Sequence, residues 1–215
     1  MVPGANEYSP RWRSVFGDVD AARTEADVAF LCSALPLPEY RRVLDVPCGE
    51  GRHAEPLTAA GYDVLGVDND PAVAPQVLCD LRELDTLPVG FDAVINMWAS
   101  FGYFEAEENE RVLGSFARRL RGGGRLVLDV FNREFFLGRD GERELRPGVV
   151  ERSWLDGVRR HSEIDYGDGQ VDVFDWQLYL PEELEELGFR HGLTPVLRHA
   201  SEADPHMQLV LQLDG

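Results

Sequence analysis

The sequence predicts an α/β fold: a seven-stranded, mostly parallel sheet with an antiparallel last strand, plus a small antiparallel β meander near the C-terminus. Three observations predict it. Short apolar runs alternate with helix-length stretches from residue 24 to residue 131, the rhythm of a right-handed βαβ sheet covered on both faces. Gly49 and Gly51 join the first apolar run directly to a helix. After Val149 the rhythm shortens to runs parted by Asp156-Gly157 and Gly167-Asp168-Gly169, which are hairpin signals.

With 215 residues and 44% hydrophobic content, the chain suits one domain over 1–215. Its formal charge of −18 excludes nucleic acid and an anionic membrane surface as main partners, because both need a basic footprint. All 21 basic side chains are arginine. Cys32, Cys48 and Cys79 form no disulfide framework, and no Cys or His spacing suggests a metal site. Without a signal-peptide core or an apolar run of membrane-spanning length, a cytoplasmic setting is expected, as monomer or homodimer.

Taken in order, residues 1–36 read as a helical lid. Tyr8, Trp12 and Phe16 recur at four-residue spacing, and a second helix starts at Thr24 with Asp27 in a capping-box relation and ends at Pro36. Residues 42–46 form a buried strand, 52–60 the helix behind the glycine turn, and 62–67 a second strand ending at Asp68. Pro71 and Pro75 leave room for one helical turn before a short strand at 76–79 and the Cys79-Asp80-Leu81-Arg82 corner. A strand at 91–97, a loop at 98–104 and a helix at 107–121 follow, with Gly122-Gly123-Gly124 ending that helix before a strand at 125–131. The meander should have three strands, 149–155, 158–166 and 171–179, within a substrate-side insertion at 147–180. Pro181 opens a short helix to Gly188, and 189–197 pairs with 207–213.

The glycine turn presents free backbone N–H groups at a helix start, and Asp68 is placed for ribose hydroxyls. Gly49-x-Gly51-x-x-Ala54 also satisfies the dinucleotide fingerprint, which keeps an NAD(P)-dependent oxidoreductase as an alternative. Asp45, ahead of the glycines, opposes a pyrophosphate and suits a cationic amino group.

The run Leu44-Asp45-Val46-Pro47-Cys48-Gly49-Glu50-Gly51-Arg52-His53 resembles the first motif of class I S-adenosylmethionine-dependent methyltransferases. So do Gly66-Val67-Asp68, Cys79-Asp80-Leu81, the segment FDAVINMWASFGYF, and Leu120-Arg-Gly-Gly-Gly124 before RLVLDVFNRE. The resemblance spans nearly the whole chain and is nearest to small-molecule enzymes that include sugar and amine N-methyltransferases. It implies a Rossmann-like fold, methyl transfer to N or O of a small molecule, and S-adenosylhomocysteine as product. It also implies roles. Asp45, Pro47, Cys48, Gly49 and Gly51 would hold the methionine end, Asp68 and Asn69 the ribose, and Asp80 and Leu81 the adenine. Met97 and Trp98 would border the sulfonium, with Tyr8 and Trp12 of the lid over the cofactor. Tyr103 is the first candidate to touch the acceptor, and His161 and His199 are candidate general bases. The pattern departs at Pro47, at Gly122 and in the nearly absent third helix. A non-catalytic S-adenosylmethionine-binding regulatory protein is a further alternative.

Overall fold

A computed structural model describes residues 6–17 and 19–215; residues 1–5 of the expected lid and Asp18 lie outside the described residues. Helices α1 (Pro10–Phe16) and α2 (Ala21–Ala34) precede strand β1 (Arg42–Asp45). Ser9 caps α1 by accepting the Trp12 N–H, with Pro10 preset for the first turn. α2 begins ahead of Thr24 because Asp20 caps the Ala22 N–H at 3.0 Å. Thr24 instead accepts from Arg52, and Asp27 is buried.

The glycine turn leads into α3 (Ala54–Ala59) and β2 (Asp63–Asp68). The helix starts later than Arg52 because Gly51 and its neighbours are spent on the turn, with the Gly51 N–H donating to the Cys48 carbonyl. One 3₁₀ turn, Pro71–Val73, replaces the third crossover helix before β3 (Val77–Leu78), as the two prolines required. β4 (Phe91–Asn96), α4 (Ala106–Arg119) and β5 (Leu120–Phe131) follow. The three glycines do not end α4: Arg119 does, and they run inside β5. Leu120 is pulled out of the helix to pair with Phe91, and the Gly90 N–H takes the Arg119 carbonyl at 2.9 Å.

α5 (Arg133–Phe136) leads to a separate antiparallel sheet of β6 (Gly141–Arg146), β7 (Val149–Asp156), β8 (Arg159–Asp165) and β9 (Val171–Gln177). The meander therefore has four strands where three were expected. β6, Gly-Glu-Arg-Glu-Leu-Arg, is an edge strand with no alternating apolar face, so nothing in its pattern marks it. α6 (Pro181–Phe189) retains Phe189, so β10 (Leu193–His199) starts after the Gly192 turn and pairs with β11 (His206–Leu213).

The main sheet has the order β10-β11-β5-β4-β1-β2-β3. β11 runs antiparallel to both neighbours and the other pairings are parallel, giving seven strands with one reversed. Strand residues alternate faces. Val43, Ile95 and Val127 pack with Leu31, Leu35 and Leu57 under α2 and α3. Leu44, Val94 and Leu126 pack with Leu113, Phe116 and Leu184 under α4 and α6. A third core joins Phe174, Trp176 and Ile164 of the smaller sheet to Tyr8, Trp12 and Phe16 around α1. No described helix is long and apolar enough to cross a membrane.

Candidate functional site

The carboxyl ends of β4, β1 and β2 lie side by side, the place where open α/β sheets bind ligands. Above them, Gly49 and Gly51 have φ of 52° and 84°, conformations an L side chain resists, and a Cβ at either would meet no atom within 4 Å. The turn is thus an open backbone cradle. Its position is set by the Cys48 N–H donating to the Val67 carbonyl and the Gly49 N–H donating to Asp68 Oδ2, both at 2.9 Å. Asp68 Oδ1 accepts the Asp70 N–H at 2.9 Å, and each oxygen keeps a lone pair for a ligand hydroxyl. Burial pushes the Cys48 thiol up to about 12, helped by the Asp45 and Asp68 charges, so it packs as a neutral side chain.

Asp45 is completely buried, and neither carboxylate oxygen has a hydrogen-bond partner among the described residues. Burial pushes its pKa from 3.8 up to about 8, with Arg52 opposing and Asp68 adding to the shift. Arg52 donates to Asp27 Oδ2 at 2.9 Å and its guanidinium carbon lies 4.6 Å from the Trp98 ring centroid. Arg52 Nη2 and Trp98 Nε1 are also buried without a partner among the described residues. Leaving such groups unpaired costs about 1–3 kcal/mol each, so a cluster of them marks where the polar atoms of a ligand belong. Behind the cluster, Asp27 is held ionised: burial opposes this, but His53, Arg23 and Arg52 outweigh it.

Trp98 and Ala99 have φ of 63° and 54°, a left-handed pair that costs about 1–3 kcal/mol per residue and persists only where its surroundings enforce it. Here the Ala99 N–H donates to the Asp129 carbonyl at 2.8 Å and Ser100 Oγ donates to the Met97 carbonyl at 3.0 Å. Of the other expected residues, Pro47 is half-buried in the turn and Asn69 is exposed beside Asp68. Asp80 caps the turn at Leu81 and holds Arg82 through both oxygens at 2.8 and 2.7 Å, which lowers its pKa. Leu81 and Met97 point into core clusters on opposite faces of the sheet.

α1 crosses over this edge. Ser9 donates to Asp172 at 2.6 Å, Arg11 pairs with Asp168 at 3.1 Å, and Arg13 pairs with Asp70. The helix therefore ties the smaller sheet to the end of β2. Tyr8 and Tyr103 share a hydroxyl hydrogen bond of 2.7 Å, with Trp12 edge-on to Tyr8 at 4.6 Å. Burial raises both tyrosine pKa values, further raised at Tyr8 by Tyr103 and Asp68. An open cavity of about 440 Å³ lies between α1, Trp98 and the smaller sheet.

The two expected histidines stand apart from this cluster. His161 stacks on Trp154 at 5.2 Å within the smaller sheet, and His199 lies against Phe30 at 5.6 Å, beside a second cavity of about 550 Å³. A shorter contact to a buried carboxylate is made by His206, whose Nδ1 is 2.5 Å from Asp129 Oδ1, against 3.4 Å for His53 and Asp27. Neither His206 nor Arg52 was singled out from the sequence. Arg52 carries a local signal, a cation immediately after the glycines; the Asp129–His206 pair joins residues 77 positions apart and carries none.

Residues 43–124 match the methyltransferase domain family. The chain is 30% identical over 120 residues to a dTDP-3-amino-3,4,6-trideoxy-alpha-D-glucopyranose N,N-dimethyltransferase from Streptomyces venezuelae, a match covering 51% of this chain and 50% of that protein. It is 30% identical over 132 residues to a glycine/sarcosine N-methyltransferase from Aphanothece halophytica, covering 54% and 50%. The chain thus spans about half the length of the curated relatives it matches. Among solved structures it superposes on the sugar N-methyltransferase KedS8 from a Streptoalloteichus species with a TM-score of 0.70, 26% identity, and coverage of 98% of this chain and 94% of that one. The amino pentose methyltransferase CalS10 from Micromonospora echinaspora gives a TM-score of 0.72 at 23% identity, covering 96% and 98%. Residues 43–124 thus match a methyltransferase domain, and the glycine cradle, buried acid and sheet order belong to the fold that this chain shares with these solved methyltransferases.

Proposed function

We propose that this protein binds S-adenosylmethionine and transfers its methyl group to a nitrogen or oxygen nucleophile of a small molecule, releasing S-adenosylhomocysteine. The observation that carries the reading is the group of buried polar atoms on Asp45, Arg52 and Trp98, without partners among the described residues, beside an open glycine cradle. An acid and a guanidinium set together there match the ammonium and carboxylate of an amino-acid tail. Asp68 and Asn69 would hold the ribose, and the Asp80–Leu81 corner the adenine. Bound there, S-adenosylmethionine supplies an electrophilic methyl group on a positively charged sulfur.

The chain's own work is alignment and exclusion of water. A general base on the chain would be needed only for a nucleophile that arrives protonated. Tyr8 and Tyr103, joined through their hydroxyls, would set the acceptor wall by holding Trp12, which packs edge-on to Tyr8. The similarity to sugar and glycine N-methyltransferases supports a small-molecule acceptor, and three free cysteines accord with a reducing cytoplasm. The buried acid at the end of β1 is drawn into its carboxylate form by an ammonium, whereas the pyrophosphate of a nicotinamide cofactor would hold it neutral and leave it without an ionic partner. Calorimetric titration of the full chain with S-adenosylhomocysteine should give a saturable 1:1 isotherm, with no thermal-shift response to NAD(P). Folded protein that fails to bind would overturn the reading.

A further inference from the structure

We infer that the acceptor is a planar, aromatic small molecule carrying an anionic group, bound in the cavity between α1, Trp98 and the smaller sheet. This rests on the methyltransferase reading above and goes on to the substrate class. The cavity, about 440 Å³, is large enough for a compact ring system, and it borders Trp98, the same side chain that closes the Arg52 cluster. Its walls are rings and branched aliphatics: Trp12 and Phe16 from α1, Trp98 from the loop after β4, and Leu145 and Ile164 from the smaller sheet.

The charged groups Asp20, Arg23 and Arg146 sit among these walls, so a polyhydroxylated sugar would meet partners for a few hydroxyls only, and the rest would lose water against rings and aliphatics. It gains most from a flat apolar face stacked on indole and phenyl rings. The two guanidinium groups at this cavity differ. Arg23 is already committed to Asp27 at 3.0 Å and to Asp129 at 3.3 Å. Arg146 is exposed, lies 5.4 Å over the Phe16 ring, and has no carboxylate partner among the described residues. In a chain with 39 acidic and 21 basic side chains, an arginine left over at a cavity rim is a ready partner for an incoming carboxylate. Asp20, at the same rim, accepts the Ala22 N–H through Oδ1 and, as a carboxylate, repels an anion on its side, so the anionic group would turn to Arg146.

The test uses the full chain saturated with S-adenosylhomocysteine and four probes: 4-aminobenzoate, its neutral relative 4-aminobenzamide, glucosamine 6-phosphate, which is anionic without a ring face, and glucosamine. Binding is read by calorimetry and by quenching of tryptophan fluorescence, since Trp12 and Trp98 both line the cavity. The aminobenzoate should bind saturably and about tenfold or more tightly than the other three. Arg146→Gln should bring the acid down to the affinity of the amide with unchanged melting temperature, and Phe16→Ala, which also removes a ring from the third core and so lowers the melting temperature, should weaken both aromatic probes while retained S-adenosylhomocysteine binding shows the fold intact. An amino sugar that binds as tightly as the aromatic acid, an acid indifferent to Arg146→Gln, or no probe binding to cofactor-loaded protein would each overturn the inference. Failure of S-adenosylhomocysteine itself to bind would strike the parent reading first and this one with it.

Discussion

Cofactor binding should expel a proton from Asp45. The carboxyl sits fully buried, without a hydrogen-bond partner among the described residues, and burial displaces its pKa from 3.8 to about 8, so the neutral form prevails at pH 7 without ligand. Each tenfold change in that equilibrium is worth about 1.4 kcal/mol, which puts the cost of ionising it without a partner at roughly 5–6 kcal/mol at pH values where the exposed group is fully charged. An incoming ammonium removes much of that cost and favours the carboxylate. One proton is then released per ligand, and S-adenosylhomocysteine affinity should rise about tenfold per pH unit, or about a hundredfold from pH 5.5 to 7.5. Calorimetry in buffers of different ionisation enthalpy measures both proton count and affinity. Asp45→Asn should weaken binding and abolish the slope. The same shift sets the sign for stability: a raised acid contributes stability below about pH 4 that is lost as pH rises toward 8, so Asp45→Asn should flatten the melting-temperature profile of the ligand-free protein over that interval. A wild-type affinity flat with pH, or a slope that survives Asp45→Asn, would refute the reasoning.

Four other outcomes follow. Asp68→Ala, which also frees the Gly49 N–H, should weaken S-adenosylhomocysteine binding by about 2–3 kcal/mol, read by the same titration. Gly51→Ala, at φ 84°, should cost about 1–2 kcal/mol in denaturant unfolding, because a Cβ is forced into left-handed backbone while no neighbour clashes. Tyr103→Phe breaks the 2.7 Å hydroxyl pair with Tyr8; it should leave cofactor affinity within twofold or so while lowering turnover of any acceptor by about tenfold, a split read from binding against single-turnover rates. Glu151→Ala should destabilise by about 3–5 kcal/mol, because Arg160 stays buried without its 2.6 Å partner. Burial resists ionisation of Glu151 but Arg160, Ser162 and Arg143 prevail and lower its pKa, so its contribution is present above the ordinary glutamate range and should disappear on acid titration.

Much of this molecule is legible along the chain, because much of it is local. The short apolar runs, the glycine turn and the two prolines after Asp68 constrain backbone within a few residues, and they announced the parallel sheet, the cradle and the missing third helix. Asp45 and Asp68 were readable for the same reason: each sits at the last position of a strand, and strand ends face the ligand edge. Where local signals competed with pairing, pairing won. Gly122–124 reads as a helix stop, yet Leu120 finds Phe91 and draws the glycines into β5. β6 has no periodic face of its own and exists because β7 offers it hydrogen bonds.

The electrostatics of the site and its acceptor side depend on contacts between distant segments, and no spacing in the chain encodes them. That Asp45 has no partner among the described residues, that Arg52 holds Asp27 of α2 while lying over Trp98, and that Tyr8 reaches Tyr103 across 95 positions all follow from how distant segments pack against the strand ends. The charge on a carboxyl is set by what surrounds it in space, and burial is a property of the packed chain alone.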